Sequence, residues 1–491
     1  MSYASVIMVC MHRVDTKRKQ AAIIRTITYA VTLVLTVLTT AMLLYIALGY
    51  RIGSSGHVVK NGLLLVDNRP QSAMVYVNGV QKDPAPSRFV LPAGNYDVDL
   101  KLNGYRDWSK QVNVSASKVR EVKYPLLLPK NLNLKTLKSL EKPDVVSQSK
   151  DRKQLLMYSE QLSQLSLVEL DPKEAKVTNL QLGNSVVREG GSLGKLRVIE
   201  WSLNNKHVLI EQMLPSGAIN YLSLETAKPA EAINITKLYG DNEITDLHYV
   251  GDNTDLVYGL KNGILSSYSL SGATQSIIMQ RISQYTPYSD DTILYSKVIE
   301  DGLQQMGIRQ GDKETVITQA AADLGKPILK YAGYDRHMYF VIGYDGGEII
   351  SVYRDPLAKP ILAKQLPFTS FEFSKPTSIT FSGSSEFFIA QNSSGATVYD
   401  FEDVKQHKDI MKFELATGSE ITWVDDHHLQ AVNKEGINFI FDYDGTNMQE
   451  LTATKPGTEL FYSDNFQHYY SLKDLDLKTD LNVTSLVVGK E

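Results

Sequence analysis

Two short clusters in this 491-residue chain carry side chains with the right chemistry for catalysis or metal binding. Gly190-Gly191-Ser192-Leu193-Gly194 fits the G-x-S-x-G pattern of an activated serine. That chemistry needs a strand before the serine, a helix after it and a hydrolase sheet around both. The surrounding stretch REGGSLGKLR instead joins apolar strand patterns, so Ser192 is expected in a surface loop. Asp425-Asp426-His427-His428 carries metal-ligating groups, but neighbouring residues of a strand point to opposite faces. Its two aspartates also occupy a turn slot that recurs along the chain, so hairpin chemistry is expected there. His207, His248, His337, His407 and His468 are scattered, and neither HExxH nor paired-cysteine spacing occurs. No catalytic, cofactor-binding or metal-binding residue is assigned.

Composition narrows the classes further. Cys10 is the only cysteine, so no intramolecular disulfide forms and the fold must rest on its own core. The formal charge is −4. Most basic residues near the start of the chain are unopposed, which leaves the remainder net acidic. An acidic surface repels phosphate backbones, which argues against nucleic acid as a partner. Tyrosine is abundant (27) and tryptophan scarce (three), and long helical patterns are absent after residue 50, all of which favours β structure.

The elements that must position any site begin with residues 26–50, TITYAVTLVLTVLTTAMLLYIALGY, which hold no charge. A helix of roughly 20 apolar residues crosses the hydrocarbon core. Arg13, Lys17, Arg18, Lys19 and Arg25 precede the stretch against Asp15 alone, whereas Arg51 is followed by no basic residue until Lys60. That bias predicts a cytoplasmic tail over 1–25 and an extracytoplasmic remainder. A cleaved signal peptide is the competing reading, but its apolar core is shorter and ends in small residues. Thr28, Thr32, Thr36 and Thr40 form one helical stripe, suited either to helix self-association in lipid or to bonding back to their own carbonyls.

Residues 52–60 read as a flexible exit, and a small β-sandwich is predicted over 57–129. Strands are expected at Leu63–Val66, Met74–Val77, Arg88–Leu91, Tyr96–Leu100, Trp108–Val114 and within Lys118–Leu128, with Asn78-Gly79 as a hairpin turn. This unit resembles the PEGA domain of bacterial envelope proteins. The resemblance is carried by Pro70, Ala73-x-Val75-Tyr76-Val77-Asn78-Gly79, Pro86, Leu91-Pro92-Ala93-Gly94-Asn95-Tyr96, Gly104-Tyr105, Trp108 and Leu126-Leu127-Leu128-Pro129. In the signature tetrapeptide Ala93 replaces Glu and Asn95 replaces Ala. The resemblance implies an envelope location and a structural or binding role.

Residues 130–142, KNLNLKTLKSLEK, read as a linker that also lends a strand. Over 143–491 one cassette recurs: a strand ending in an aromatic residue, a turn rich in Asp, Asn or Ser, then a second apolar strand. It appears at Trp201–Asn205, Tyr249–Asn253, Tyr288–Asp291, Tyr334-Asp335, Phe381–Ser385, Trp423–Asp426 and Tyr462–Asn465, with a weaker copy at Ser149–Asp151. A period of about 40–50 residues is that of a four-stranded propeller blade. Eight blades are predicted, with seven as the other count, and Leu132–Leu137 is expected to close the ring. The stretch WVDDHHLQAVNKEGINFIFDYDGTNMQELT resembles blades of TolB-like periplasmic propellers.

The predicted architecture is therefore all-β beyond one N-terminal transmembrane helix. The expected role is a cell-envelope binding or scaffold module for a glycan, peptidoglycan or protein, without enzymatic activity or cofactor. The alternatives are a propeller hydrolase or lyase acting over the central channel, and a ligand sensor that signals through a partner.

Overall fold

The computed structural model describes residues 3–47, 50–52, 58–299, 302–358, 365–402, 407–410, 414–455, 458–476 and 478–489. Part of the predicted exit, residues 53–57, lies outside them. The chain divides into two compact units, Met1–Leu128 and Pro129–Glu491.

The N-terminal helix runs over Tyr3–Ala47. It thus continues through the stretch predicted as a tail, because residues 3–25 contain neither glycine nor proline to break it. Its end also differs from the prediction. Tyr50 is not helical but opens the strand Tyr50–Ile52, which pairs with Val58–Lys60. Glycine at 49 is a poor helix former, and the Tyr-Arg-Ile that follows suits a strand. Within the helix, Ala22–Tyr45 is 24 residues long with a mean hydropathy of 2.0, enough to cross a membrane.

The rest of the first unit is a sandwich of two four-stranded sheets. In one, Val58–Val66 pairs antiparallel with Ser87–Pro92 and parallel with Val119–Val122. In the other, Met74–Val77 lies between Val80–Pro84 and Gly94–Lys101, with Trp108–Val114 beyond. Asn78 and Gly79 both take positive φ (49° and 73°), the geometry of a tight hairpin that follows strand twist. Alternation sends Val75, Val77, Val98, Leu100, Trp108, Val112 and Val114 into the core, each at most 4% exposed.

The second unit is a β-propeller. Its described residues form eight four-stranded antiparallel sheets, seven of them built from strands consecutive in sequence. In the eighth, Phe461–Tyr462, His468–Asp474 and Lys478–Ser485 are completed by Leu134–Glu141 from the start of the unit. The stretch read as a linker therefore supplies this strand, a few residues beyond the predicted Leu132–Leu137. Closure is sealed by packing as well as pairing. Leu155, Met157, Val168 and Ala175 of the first sheet share a buried cluster with Tyr470, Leu472, Leu481 and Val483 of the eighth. First strands of neighbouring sheets approach one another and form the inner ring.

Candidate functional site

The recurring cassette is the turn between the first and second strands of each sheet, and its chemistry is local. Ser149, Ser202 and Ser463 are buried and accept the backbone N–H five residues on, at 3.0, 3.0 and 3.1 Å. Each hydroxyl donates to the side chain two residues on, namely Asp151, Asn204 and Asn465, at 2.6, 2.8 and 2.9 Å. The next residue, Arg152, Asn205 or Phe466, then takes positive φ. Asp, Asn and Ser recur here because they hold turn backbone, which leaves few of them to act on a ligand.

The inner ring gathers polar groups that sequence spacing did not single out. Glu200, at the end of the first strand of the second sheet, reaches the first strand of the third. There it accepts the Tyr249 amide at 2.5 Å and approaches His248 Nδ1 at 3.3 Å. His248 Nε2 lies 3.4 Å from Asp246. Burial pushes this imidazole down, but its bonds to the Asp246 and Glu200 carboxylates outweigh that and hold it at about 9. His248 is therefore a cation bridging two sheets. Both of its nitrogens are engaged, and this suits it to fastening more than to proton transfer.

Two like arrangements lie at the sixth-to-seventh and seventh-to-eighth junctions. Ser378 and Gln391 both donate to Glu420, at 3.3 and 3.5 Å. Thr422 and Gln430 both donate to Glu459, at 2.9 and 3.0 Å. Each glutamine also bonds the backbone after its glutamate: Gln391 to both the amide and the carbonyl of Ile421, Gln430 to the Leu460 carbonyl. Burial raises the Glu459 carboxyl; the Thr422 bond opposes this and the Glu420 charge adds to it. Lys330, half-buried on the first strand of the fifth sheet, is pushed down by burial against the pull of Glu420. The sequence signal for these junctions is the repeat Ser419-Glu420-Ile421 and Thr458-Glu459-Leu460.

The predicted clusters are not brought together. Ser192 sits in a tight turn bridged to Glu189, and its hydroxyl accepts the Gly194 amide at 3.0 Å and lies 3.3 Å from Ser163. The next element is the strand Lys195–Trp201, not a helix. Asp425 accepts the His427 and His428 amides at 2.9 and 2.8 Å, as its turn position requires. The two imidazoles diverge. His428 is buried between Asp425 (2.8 Å) and Asp442 (3.6 Å), whereas His427 stands edge-on to Phe387 and 3.7 Å from Glu386. Among the described residues no group of three His, Cys, Asp or Glu could hold a metal ion. Thr28, Thr32, Thr36 and Thr40 each bond the carbonyl four residues back, at 2.8–2.9 Å.

Residues 61–128 match the PEGA domain family. The chain thus carries an apolar N-terminal helix, a PEGA domain and a WD40-like propeller. No curated protein matches it. Among solved structures it is similar to the C-terminal WD40 domain of Sif2, at 11% identity over 72% of this chain and 98% of that one, with a TM-score of 0.48. An oligogalacturonate lyase in complex with manganese is similar at 10% identity over 73% and 98% of the two chains, TM-score 0.41. Hsv2p of Kluyveromyces lactis follows at 10% identity over 63% and 97%, TM-score 0.40. None of these likenesses bears on activity.

Proposed function

We propose that this chain is a membrane-anchored, extracytoplasmic protein of the cell envelope that binds a glycan, peptidoglycan or protein partner without transforming it. The observation that carries the reading is the use made of the inner-ring polar groups. Glu200, His248, Glu420 and Glu459 all bond a neighbouring sheet. Groups committed to holding sheets together make a rigid scaffold, and rigid scaffolds position binding loops well. The PEGA domain next to an apolar, membrane-length helix supports placement outside the cytoplasmic membrane.

The test uses the full-length protein with a C-terminal tag, expressed in cells. Protease added to intact or outer-membrane-permeabilised cells is expected to remove the tag. Envelope sedimentation is expected to retain the protein after detergent extraction of lipid, and muramidase digestion separates glycan-dependent from protein-dependent retention. A protected tag, or release of all protein by detergent alone, would overturn the reading.

A further inference from the structure

Between the fourth and fifth sheets lies a cavity of about 360 Å³, within the range of roughly 300–1,000 Å³ usual for small-molecule sites. Tyr288 and Asp291 line it from a turn of the fourth sheet, and Gln310 from the end of that sheet's third strand. Tyr331, Met338 and Asp355 face them from the fifth. The Tyr288 ring is 45% exposed and stands edge-on to buried Tyr331, with centroids 4.9 Å apart at 70°. That contact orients the ring before any ligand arrives, and the partly exposed ring lines the cavity as an apolar surface.

Both carboxylates are held in place by the protein. Asp291 accepts from the Ser289 and Thr292 hydroxyls at 3.0 and 2.8 Å. Asp355 accepts from the Met338 amide at 2.9 Å and faces His337 Nδ1 at 2.6 Å. An ionised carboxylate offers about four acceptor positions, so each keeps acceptor capacity while its own orientation is fixed. Gln310 adds an amide that both donates and accepts.

We propose that this cleft is a saccharide subsite. It takes one pyranose ring of a glycan, with an apolar sugar face on Tyr288 and hydroxyls donating to Asp291 and Asp355. The proposal rests on the binding-module reading above and narrows its ligand to a neutral carbohydrate. A basic side chain of a partner protein is the competing occupant, since an aromatic ring beside carboxylates also attracts cations. The sugar is favoured because the charge of each carboxylate is already shared with two donors, and the Met338 side chain adds apolar surface where a cation would gain nothing.

The experiment uses full-length protein in lipid nanodiscs, free of sugar detergents. Saturation-transfer NMR is recorded with N,N′-diacetylchitobiose and cellobiose, and separately with tetralysine. The expected result is transfer to sugar ring protons, with affinity at least tenfold lower for Tyr288→Ala and about fivefold lower for Asp291→Asn, at unchanged unfolding temperature. Sugar binding that Tyr288→Ala leaves intact would overturn the subsite but not the binding-module reading. Binding of tetralysine alone would overturn the saccharide assignment. Binding of neither probe by protein that is still retained on envelopes would overturn the subsite, whereas loss of envelope retention would be the failure of the earlier reading.

Discussion

The Arg152 guanidinium donates to the Val424 carbonyl, 2.5 Å away in space and 272 residues away in sequence. On the way it lies over the Phe466 ring, 4.4 Å from its centroid. Arg152 belongs to a turn of the first sheet, Phe466 to the corresponding turn of the eighth and Val424 to that of the seventh. One side chain thus spans the three sheets on either side of ring closure. It does so from a positive-φ turn position that its neighbours fill with Asn205 or Ser385.

Arg152→Ala should therefore loosen closure. A hydrogen bond from a charged donor contributes about 1.5–3 kcal/mol and a cation–π contact about 0.5–2 kcal/mol. A loss of about 2–5 kcal/mol is expected in thermal or denaturant unfolding of the full-length protein. Arg152→Lys should fall between wild type and Ala, since an ammonium keeps the charge but not the planar contact. Equal stability of all three proteins would show the staple to be idle.

Leu481→Ala tests the same junction through its core. Leu481 is fully buried where the eighth sheet packs on the first. Truncating a buried leucine costs about 2–5 kcal/mol. If closure is what keeps the propeller cooperative, proteolysis should begin at the strand Leu134–Glu141. An unchanged cleavage pattern would contradict that.

His248 makes stability depend on alkaline pH. Its folded pKa of about 9 lies above the ordinary 6.5. A raised pKa means that the contribution is fully present below about 6.5 and is lost as pH rises through about 9. Unfolding midpoints measured from pH 6 to pH 10 should fall more for wild type than for His248→Gln. Parallel curves would rule out the charged bridge.

Glu459 works in the opposite sense. Its carboxyl is raised by burial, so the folded state holds the proton more tightly than the unfolded chain does. Ionisation as pH rises through the folded pKa therefore opposes folding. Glu459→Gln keeps an acceptor for Thr422 and Gln430 without the charge. The variant should gain stability relative to wild type between pH 4 and pH 7, measured by differential scanning calorimetry. No change in the gap would remove the burial argument.

Within the PEGA domain, Trp108 is fully buried and stands edge-on to Tyr124 at 6.1 Å. Trp108→Ala should cost about 3–5 kcal/mol, enough to unfold a domain of this size. The near-ultraviolet circular dichroism signal of that tryptophan environment and the protease resistance of residues 58–128 are the readouts. Intact resistance would place the core elsewhere.

How much of this was legible depended on range. The Ser202-Leu203-Asn204-Asn205 turn and its copies could be read directly, because a serine, an asparagine and a positive-φ residue within four positions form the turn by their own hydrogen bonds. The apolar helix and the Asn78-Gly79 hairpin are equally local. Leu134–Glu141 was half legible. Its exposed, lysine-rich face looks like a linker and its leucines suggest a strand, but the bounds and register of that strand are fixed only by pairing with Lys478–Ser485. The Glu200–His248 bridge was not legible, and of the Glu420 and Glu459 junctions only the recurrence of the short Ser/Thr-Glu-apolar stretch was, not the donors each glutamate meets. Their partners lie in other sheets, and no local period marks which carboxylate will meet which donor.

The sequence by itself determined the membrane-length helix, the PEGA sandwich and the repeating turn-and-strand cassette. The helix, the Asn78-Gly79 hairpin and the cassette turn follow from residues close along the chain, and the sandwich from strands whose apolar alternation marks the face each one buries. Only the tertiary structure decided that Arg152 would meet Val424, that His248 would be held as a cation, and that Tyr288 would face Asp355 across a cleft. These pairings exist because closing a ring of sheets juxtaposes surfaces whose residues carry no mark of one another in sequence.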